Sequence, residues 1–326
     1  MKLILDVHNL KKDFPGPPGG LSLTRPMVRA VDDVSFSISP GETLSVVGES
    51  GCGKSTLGRL ILRLTQPTSG EVWLDGERID NMPSPWLRRR RRQLQAVFQD
   101  PLASLDPRMR VRDIIAEPLI NFGVVRGRRR IDDCVAELLD KVGLPKDAMR
   151  RFPHEFSGGQ RQRIGIARAL APSPSLIICD EAVSALDVSI KAQIVNLLMD
   201  LQRELGLALL FISHDLAIVE HLSDRIAVMY LGALVEIADR QSLFDRPAHP
   251  YTRVLLSSAP APDPCAKGKA ILLLGEAPNP TDVPRGCRFH TRCPYAFDRC
   301  KTEVPKLRPV SDTQVAACHL DRLPAP

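Results

Sequence analysis

The sequence predicts an α/β fold built on a parallel β-sheet. Two short apolar runs, Leu176–Cys179 and Leu207–Ile212, each end in polar residues, and a third run, Thr43–Val47, leads directly into a glycine-rich loop. Continuous apolar runs of this length are typical of strands buried in parallel sheets. Ligands of open α/β sheets bind at the carboxyl ends of the strands. We therefore expect the functional residues to follow these three runs.

Strands and helices are predicted to alternate from Lys2 to about Ala238. Near the start, Val34–Ile38 and Glu71–Leu74 are rich in β-forming residues. Residues from about 100 to 170 are mostly helical in pattern, with amphipathic spacing in Ile131–Val142 and in Gln160–Leu170. This pattern predicts a helical subdomain inserted into the sheet domain.

The composition changes after about Asp245, where thirteen of the 28 prolines fall. Long regular elements are not expected in such a segment. The prediction is therefore a main domain over residues 1–245 and a Pro/Cys-rich C-terminal extension over residues 246–326.

Length and charge leave several classes of protein open. The 326 residues suffice for one large domain with an appendage, or for two ordinary domains. The net charge of +6 selects no partner. The arginine runs Arg88–Arg92 and Arg126–Arg130 carry no interleaved aromatic residues, which favours a solvated face over a nucleic-acid site. No nucleic-acid partner is predicted.

Membrane-spanning and exported classes are not favoured. The longest apolar stretch, Leu205–Ile212, is much shorter than the ~20 residues that cross a bilayer. At the N-terminus, Asp6 interrupts the apolar run before an export signal could form. The protein is expected in the cytoplasm, where its eight cysteines would be reduced.

The glycine-rich loop fits the phosphate-binding pattern G-x-x-x-x-G-K-[ST] at every fixed position, which predicts a P-loop NTPase. Its glycines allow several N–H groups to face one anion, and the following helix adds the positive end of its dipole. Lys54 is expected to reach the β- and γ-phosphates, and the Ser55 hydroxyl to ligate Mg²⁺. The candidate nucleotide-binding residues here are Gly48, Glu49, Ser50, Gly51, Cys52, Gly53, Lys54, Ser55 and Thr56.

An acidic pair, Asp180 and Glu181, follows the apolar run 176–179. A phosphate loop needs such a partner acid for Mg²⁺, so Asp180 is the candidate metal ligand. Glu181 is placed to act as the general base toward the attacking water. The alternative is that the pair only caps the next helix.

The segment Phe156–Arg163, Phe-Ser-Gly-Gly-Gln-Arg-Gln-Arg, resembles the signature motif of the ATP-binding subunits of ABC transporters. In that family Ser157, Gly158, Gly159 and Gln160 would contact the γ-phosphate of ATP held by another subunit, in a head-to-tail dimer. The resemblance implies an ABC-type nucleotide-binding domain, with a RecA-like sheet core, an antiparallel β part and an inserted helical subdomain.

Further family landmarks occur in the expected order. By resemblance, Gln99 senses Mg²⁺ and the attacking water, and Asp187 belongs to the loop that couples the two sites of the dimer. His214 matches the switch histidine that contacts the γ-phosphate, and Phe14 matches the aromatic residue that stacks on adenine. Phe156 and Ala182 replace the commoner Leu and Pro of the family without removing a charged group, so a hydrolysis-competent site is expected.

Three stretches resemble the oligopeptide and dipeptide importer branch, in particular the second of its two paired ATPase subunits: Gln99–Arg108, Asp180–Ser189 and His249–Thr252. The resemblance implies an ATP-hydrolysing subunit that energises peptide import from the cytoplasmic face of the inner membrane. The implied partners are a second homologous ATPase subunit in a heterodimer, two transmembrane permease subunits and an extracytoplasmic solute-binding protein. The alternatives are transport of another small solute such as nickel, a soluble non-transport ABC ATPase, and a regulatory subunit with little hydrolysis.

Four cysteines of the extension are candidate metal ligands: Cys287, Cys293, Cys300 and Cys318. Four cytosolic thiolates suit a [4Fe–4S] cluster or a structural Zn²⁺, for which His290 or His319 could replace a thiolate. Resemblance to peptide-importer ATPases favours the iron–sulfur cluster. The alternative is four free, partly buried thiols, and Cys265 is assigned no role.

Overall fold

The computed structural model describes residues 2–16, 27–258 and 278–324, apart from the side chains of residues 101 and 102. Cys265 therefore lies outside the described residues, as does most of the loop that follows Phe14. The strands are β1 Leu5–Pro15, β2 Met27–Ile38, β3 Thr43–Val47, β4 Ser69–Leu74, β5 Glu77–Arg78, β6 Leu94–Phe98, β7 Leu176–Asp180, β8 Ala208–Ile212, β9 Arg225–Tyr230, β10 Ala233–Asp239, β11 Arg308–Ser311 and β12 Gln314–Ala316.

Helices follow most of the strands. The α-helices are α1 Lys54–Ile61, α2 Ser84–Arg90, α3 Pro101–Ser104, α4 Val111–Asn121, α5 Arg128–Lys141, α6 Gly158–Leu170, α7 Val188–Leu205, α8 Leu216–Leu222, α9 Arg240–Asp245, α10 Pro250–Ser257 and α11 Asp298–Thr302. Short 3-10 turns cover Lys146–Arg150 and Pro153–Glu155.

The chain forms two compact units. The first takes in the beginning of the chain through Leu5, then Ile38–Thr43 and Trp73–Ile212. The second takes in the described residues of Asp6–Ser37, Leu44–Val72 and Ser213–Pro326. The extension and the segment that carries the phosphate loop therefore belong to the same unit. The domain boundary at residue 245 stays a prediction from the sequence.

The first unit contains the parallel strands β8, β7 and β6, in that order. Every residue of β7 and β8 is buried, as the apolar runs predict. Strand β8 begins one residue later than predicted, because Leu207 N–H donates to the Gln202 carbonyl at the end of α7 (3.2 Å). The amphipathic pattern of α5 buries Ile131, Val135 and Leu139, which are four residues apart and share one helix face.

The second unit contains strands in the order β3, β9, β10, β12, β11. Strand β3 pairs in parallel with β9, and β10 pairs antiparallel with β12, with Glu236 opposite Ala316. The two strands of the extension therefore continue a sheet instead of forming a separate layer. Together with the parallel strands of the first unit, this confirms the predicted α/β fold class.

A buried polar network fixes the His249–Thr252 stretch in this unit. Glu236 is fully buried and accepts hydrogen bonds from the Ala248 and His249 N–H groups (2.9 and 2.8 Å) and from Gln314 Nε2 (2.7 Å). Burial lowers the pKa of His249 to about 3, so its neutral Nδ1 accepts from Tyr251 N–H (3.1 Å) and caps α10. This network places the Tyr251 side chain in the core.

Candidate nucleotide-binding site

The phosphate loop follows β3 without an intervening residue. Gly48 has φ +152° and Gly53 has φ +108°, both in the region that favours glycine. A Cβ atom at Gly48 would lie 2.1 Å from the Met229 carbonyl oxygen, and one at Gly53 would lie 2.0 Å from that of Ala30. Both positions therefore require glycine, since the loop is pressed against neighbouring backbone.

Lys54 is the first residue of α1, and its side chain folds back over the loop. Its side chain is buried, and its Nζ donates to the carbonyl oxygens of Gly48 and Glu49, each at 2.8 Å. The N-cap residue of α1 is Gly53, which has no side chain that could cap the helix start. A buried cation at an uncapped helix N-terminus is an arrangement that favours a phosphate.

The other predicted side chains of this unit lie around the same strands. Ser213 N–H donates to the Val46 carbonyl of β3 (3.2 Å), which brings the neighbouring His214 beside the strand that leads into the loop. His214 itself is exposed. Phe14 lies on β1, 36% exposed, with Lys12 Nζ 4.9 Å from its ring centroid.

In the first unit, the strand register brings Gln99, Asp180 and Glu181 to one edge. Phe98 at the end of β6 is aligned with Asp180 of β7, and Asp180 is aligned with Ile212 of β8. Gln99 and Glu181 each directly follow an aligned residue, so both lie at the carboxyl edge of the parallel strands. Asp180 is 8% exposed and Gln99 is exposed.

Glu181 has a strained backbone. Its φ of +49° lies in the left-handed region, which costs a non-glycine residue about 1–3 kcal/mol and is concentrated at functional sites. The conformation is held because Glu181 N–H donates to the Ile212 carbonyl (3.0 Å) and Ser184 Oγ donates to the Glu181 carbonyl (2.9 Å). No sequence pattern predicts this strain, and the strain itself supports a functional role for the residue.

The signature segment forms the start of α6. Ser157 Oγ accepts from Gln160 N–H (3.4 Å), and Gln160 Oε1 accepts from Ser157 N–H (3.0 Å), which makes a capping box. Ser157, Gly158 and Gln160 are exposed, whereas Gly159 is buried, and a Cβ there would lie 2.4 Å from Ile190 Cγ2 of α7. Asp187 is the exposed N-cap residue of α7, and its side chain makes no capping hydrogen bond.

Sequence reasoning missed two contacts on Glu49. Glu49 N–H donates to Tyr251 Oη (2.8 Å), and Arg292 Nη1 donates to both Glu49 carboxylate oxygens (3.1 and 3.0 Å). No local motif predicts these contacts, because the partners are separated by more than 200 positions in the sequence. The His249–Thr252 stretch was the one sequence signal that pointed toward Tyr251.

The four candidate cysteines belong to one module of the second unit. Cys287 and Cys300 are buried, Cys293 and Cys318 are half-buried, and Cys287 N–H donates to the Cys300 carbonyl (2.8 Å). Burial, followed by the charges of the neighbouring cysteines, raises the pKa of Cys287 and of Cys293 to about 11, even though backbone N–H groups donate to both sulfurs. Across the described residues, no three His, Cys, Asp or Glu side chains are arranged to hold a metal ion.

Residues 2–16, 27–258 and 278–324 include no helix with both the length and the apolar character needed to cross a membrane.

Two family models match the chain. The model of the ABC transporter family matches residues 31–184, and that of the oligopeptide/dipeptide transporter C-terminal region matches residues 235–300. The first match includes the phosphate loop, the signature segment and the acidic pair. The second includes the start of the extension and three of its candidate cysteine ligands.

Full-length relatives agree with these matches. A protein of Sinorhizobium fredii named as a probable peptide ABC transporter ATP-binding protein is 55% identical over 322 residues, which cover 99% of this chain and 91% of the relative. The oligopeptide transport ATP-binding protein AppF of Bacillus subtilis is 51% identical over 320 residues, which cover 97% of each chain.

Solved structures show the same fold. The cbiO1 protein of Clostridium perfringens, part of the ABC transporter complex cbiONQ, is similar with a TM-score of 0.64 at 27% identity, over 75% of this chain and 91% of that chain. A dimeric ATP-binding cassette in a post-hydrolysis state with ADP and phosphate has a TM-score of 0.63 at 28% identity, over 72% of this chain and 98% of that chain. This chain therefore belongs to the ATP-binding subunits of ABC transporters, in the group that carries the oligopeptide/dipeptide transporter C-terminal region.

Proposed function

We propose that this ATPase subunit energises the import of di- and oligopeptides. The observation that carries the proposal is that the phosphate loop, the acidic pair and the peptide-transporter C-terminal region occur in one chain, with 51–55% identity to peptide and oligopeptide transport subunits over almost its whole length. The similarity to these subunits includes the C-terminal extension, and ATP hydrolysis by itself does not require this extension.

The proposed chemistry assigns a role to each group. Lys54 and the N–H groups of the loop bind the β- and γ-phosphates, and by their family motifs Ser55, Asp180 and Gln99 would hold Mg²⁺, which would supply charge neutralisation. The Glu181 carboxylate takes a proton from water as the water oxygen bonds to the γ-phosphorus. The bond from that phosphorus to the bridging oxygen breaks, and ADP leaves with the electron pair.

A second ATPase subunit would complete the site. Ser157, Gly158 and Gln160 present an exposed, polar helix start, and Asp187 and Val188 expose the neighbouring start of α7, where the Val188 side chain is 84% accessible. An exposed polar helix start suits an anion held by another chain. We propose a heterodimer of homologous ATPase subunits, peripheral on the cytoplasmic face of the inner membrane, with two permease subunits and a solute-binding protein.

Affinity purification from detergent-solubilised membranes tests this assembly. We expect the tagged chain to recover two multi-span proteins and a second ATPase, identified by mass spectrometry, because the subunit has no transport activity without them. The matched control is the same purification from the soluble fraction. Recovery of ribosomal or DNA-repair proteins only, with the chain absent from membranes, would contradict the proposal and favour a soluble ABC ATPase.

The transported solute is tested by uptake. Deletion of the gene should abolish uptake of labelled di- or oligopeptides, and the wild-type gene should restore it, whereas Lys54→Ala should not. Uptake of nickel in the same strains is the control. Loss of nickel uptake with normal peptide uptake would replace the peptide proposal by the metal-import alternative.

We further propose that the four cysteines hold a [4Fe–4S] cluster. What supports it is the donor set: four thiols in one module, with N–H groups of residues two or three positions later donating to the sulfurs of Cys287 and Cys293, although the four side chains are not arranged around a metal ion in this structure. Cysteine thiolates that accept backbone hydrogen bonds are suited to iron–sulfur ligation, and such a group would stabilise a proline-rich segment. Zn²⁺ is the alternative occupant.

Metal analysis decides between the two. Protein purified without oxygen should contain about four iron and four sulfide per chain, and Cys300→Ser should lose the iron. Cys134→Ser, a half-buried thiol of α5 in the other unit, is the control and should retain it. One zinc per chain without sulfide would favour the alternative, and an equal metal content in wild type and Cys300→Ser would contradict both.

A further inference from the structure

A charged pair joins the C-terminal extension to the phosphate loop. Arg292 is 9% exposed, and its guanidinium donates through Nη1 to both carboxylate oxygens of Glu49, at 3.1 and 3.0 Å. The same nitrogen lies 3.4 Å from Tyr230 Oη. Glu49 is the second residue of the loop, so the pair connects a residue of the extension to the part of the chain that faces the nucleotide phosphates.

An aromatic cluster holds Arg292 in place. The rings of Tyr230, Tyr251 and Phe289 contact one another, with centroids 4.6 Å apart for the two tyrosines and 5.3 and 5.4 Å from each tyrosine to Phe289. Arg292 N–H donates to the Phe289 carbonyl (3.0 Å), so the turn that carries the guanidinium is fixed to this cluster. The arginine is thus positioned by buried contacts and not by a flexible surface loop.

Glu49 is held at three points. Its N–H donates to Tyr251 Oη (2.8 Å), its carbonyl accepts from Lys54 Nζ (2.8 Å), and its carboxylate accepts from Arg292. Without the guanidinium, a partly buried negative charge would remain next to a loop that must accept a triphosphate. Like charges repel each other more strongly where water is partly excluded.

We propose that Arg292 is a positioning residue for nucleotide binding, which neutralises the Glu49 carboxylate and fixes its place in the phosphate loop. The inference rests on the proposed role of the phosphate loop as the ATP site and does not depend on which solute is transported. It gives the extension a role in ATP binding through one side chain.

Equilibrium binding of a non-hydrolysable ATP analogue tests the inference. We expect Arg292→Gln to weaken binding about tenfold, because the Glu49 charge is then unpaired beside the phosphates. Adding Glu49→Gln to this variant should restore the affinity to within about threefold of wild type, since the unpaired charge is gone. The loss in Arg292→Gln should also shrink between about 0.05 and 0.5 M salt, because the Glu49 side chain is partly accessible to solvent and salt screens its repulsion.

Arg288 provides the matched control. Its guanidinium donates to the Leu231 carbonyl and to Asp32, so it also ties the extension to this unit, yet neither of these partners belongs to the phosphate loop. We expect Arg288→Gln to lower the melting temperature without changing nucleotide affinity. Equal losses of affinity in Arg288→Gln and Arg292→Gln, or failure of Glu49→Gln to rescue Arg292→Gln, would reduce Arg292 to a structural residue and overturn the inference. Unchanged affinity in Arg292→Gln would overturn it as well.

Discussion

Replacing Glu181 by Gln should lower ATP turnover by about 10²- to 10⁴-fold while ATP binding is preserved, because the amide has the shape of the carboxylate but cannot take the proton of the attacking water. The substitution keeps the side-chain size and leaves the strained backbone as it is, since glutamine has no advantage over glutamate at φ +49°. The variant should therefore fold normally and accumulate in the ATP-bound, closed dimer. Turnover, nucleotide affinity and molecular mass in the presence of ATP measure the three parts of this expectation.

The control for Glu181→Gln is Glu137→Gln. Glu137 is an exposed glutamate of α5 in the same compact unit, and its neutralisation should leave turnover unchanged. Normal turnover by Glu181→Gln would remove this residue from the base role. Loss of both turnover and binding would instead indicate a structural role for the carboxylate.

Lys54→Ala should weaken ATP binding by about 10- to 100-fold, because a charge-assisted contact with phosphate contributes roughly 1.5–3 kcal/mol. Lys54 is 4% exposed, and its Nζ lies over the loop on the Gly48 and Glu49 carbonyls, so no other cation of the loop can replace it. Titration with a labelled ATP analogue measures the loss, and thermal unfolding without nucleotide shows whether the fold is kept.

Arg59→Ala is the control for Lys54→Ala. It removes a positive charge from the same helix α1, but from its exposed face. Affinity should stay within about twofold of wild type, since an exposed charge is screened by solvent. Equal affinities for Lys54→Ala and wild type would contradict the assignment of the phosphate loop.

Much of the ATP site could be predicted because its groups are local in sequence. The phosphate loop takes its geometry from glycines at fixed spacing, and the two clashes at Gly48 and Gly53 show why the pattern admits no other residue there. The capping box of Ser157 and Gln160 is equally local, since it forms between residues three apart. The comparisons confirm the family that these motifs indicate, and the structure confirms the α/β fold class, whereas the individual roles of the site residues stay predictions.

Other features could not be found by spacing. The left-handed backbone of Glu181 depends on its N–H bond to the Ile212 carbonyl of β8 and on the bond that its carbonyl accepts from Ser184, and glutamate at that position carries no sign of it. The packing of the extension could not be predicted either: a proline-rich composition argues only against long regular elements and does not indicate that Phe289 is 1% exposed or that β12 pairs with β10. Burial of this kind depends on which edges and faces of the neighbouring strands are free to be covered by the extension.

The sequence alone therefore determined the nucleotide chemistry, because each of its motifs is a short segment whose backbone geometry is set by its own residues. Only the tertiary structure decided that Arg292 and Tyr251 hold the phosphate loop. Their contacts join residues about 240 and 200 positions apart through a shared aromatic cluster, and pairings at that separation are fixed by the packing of the whole unit.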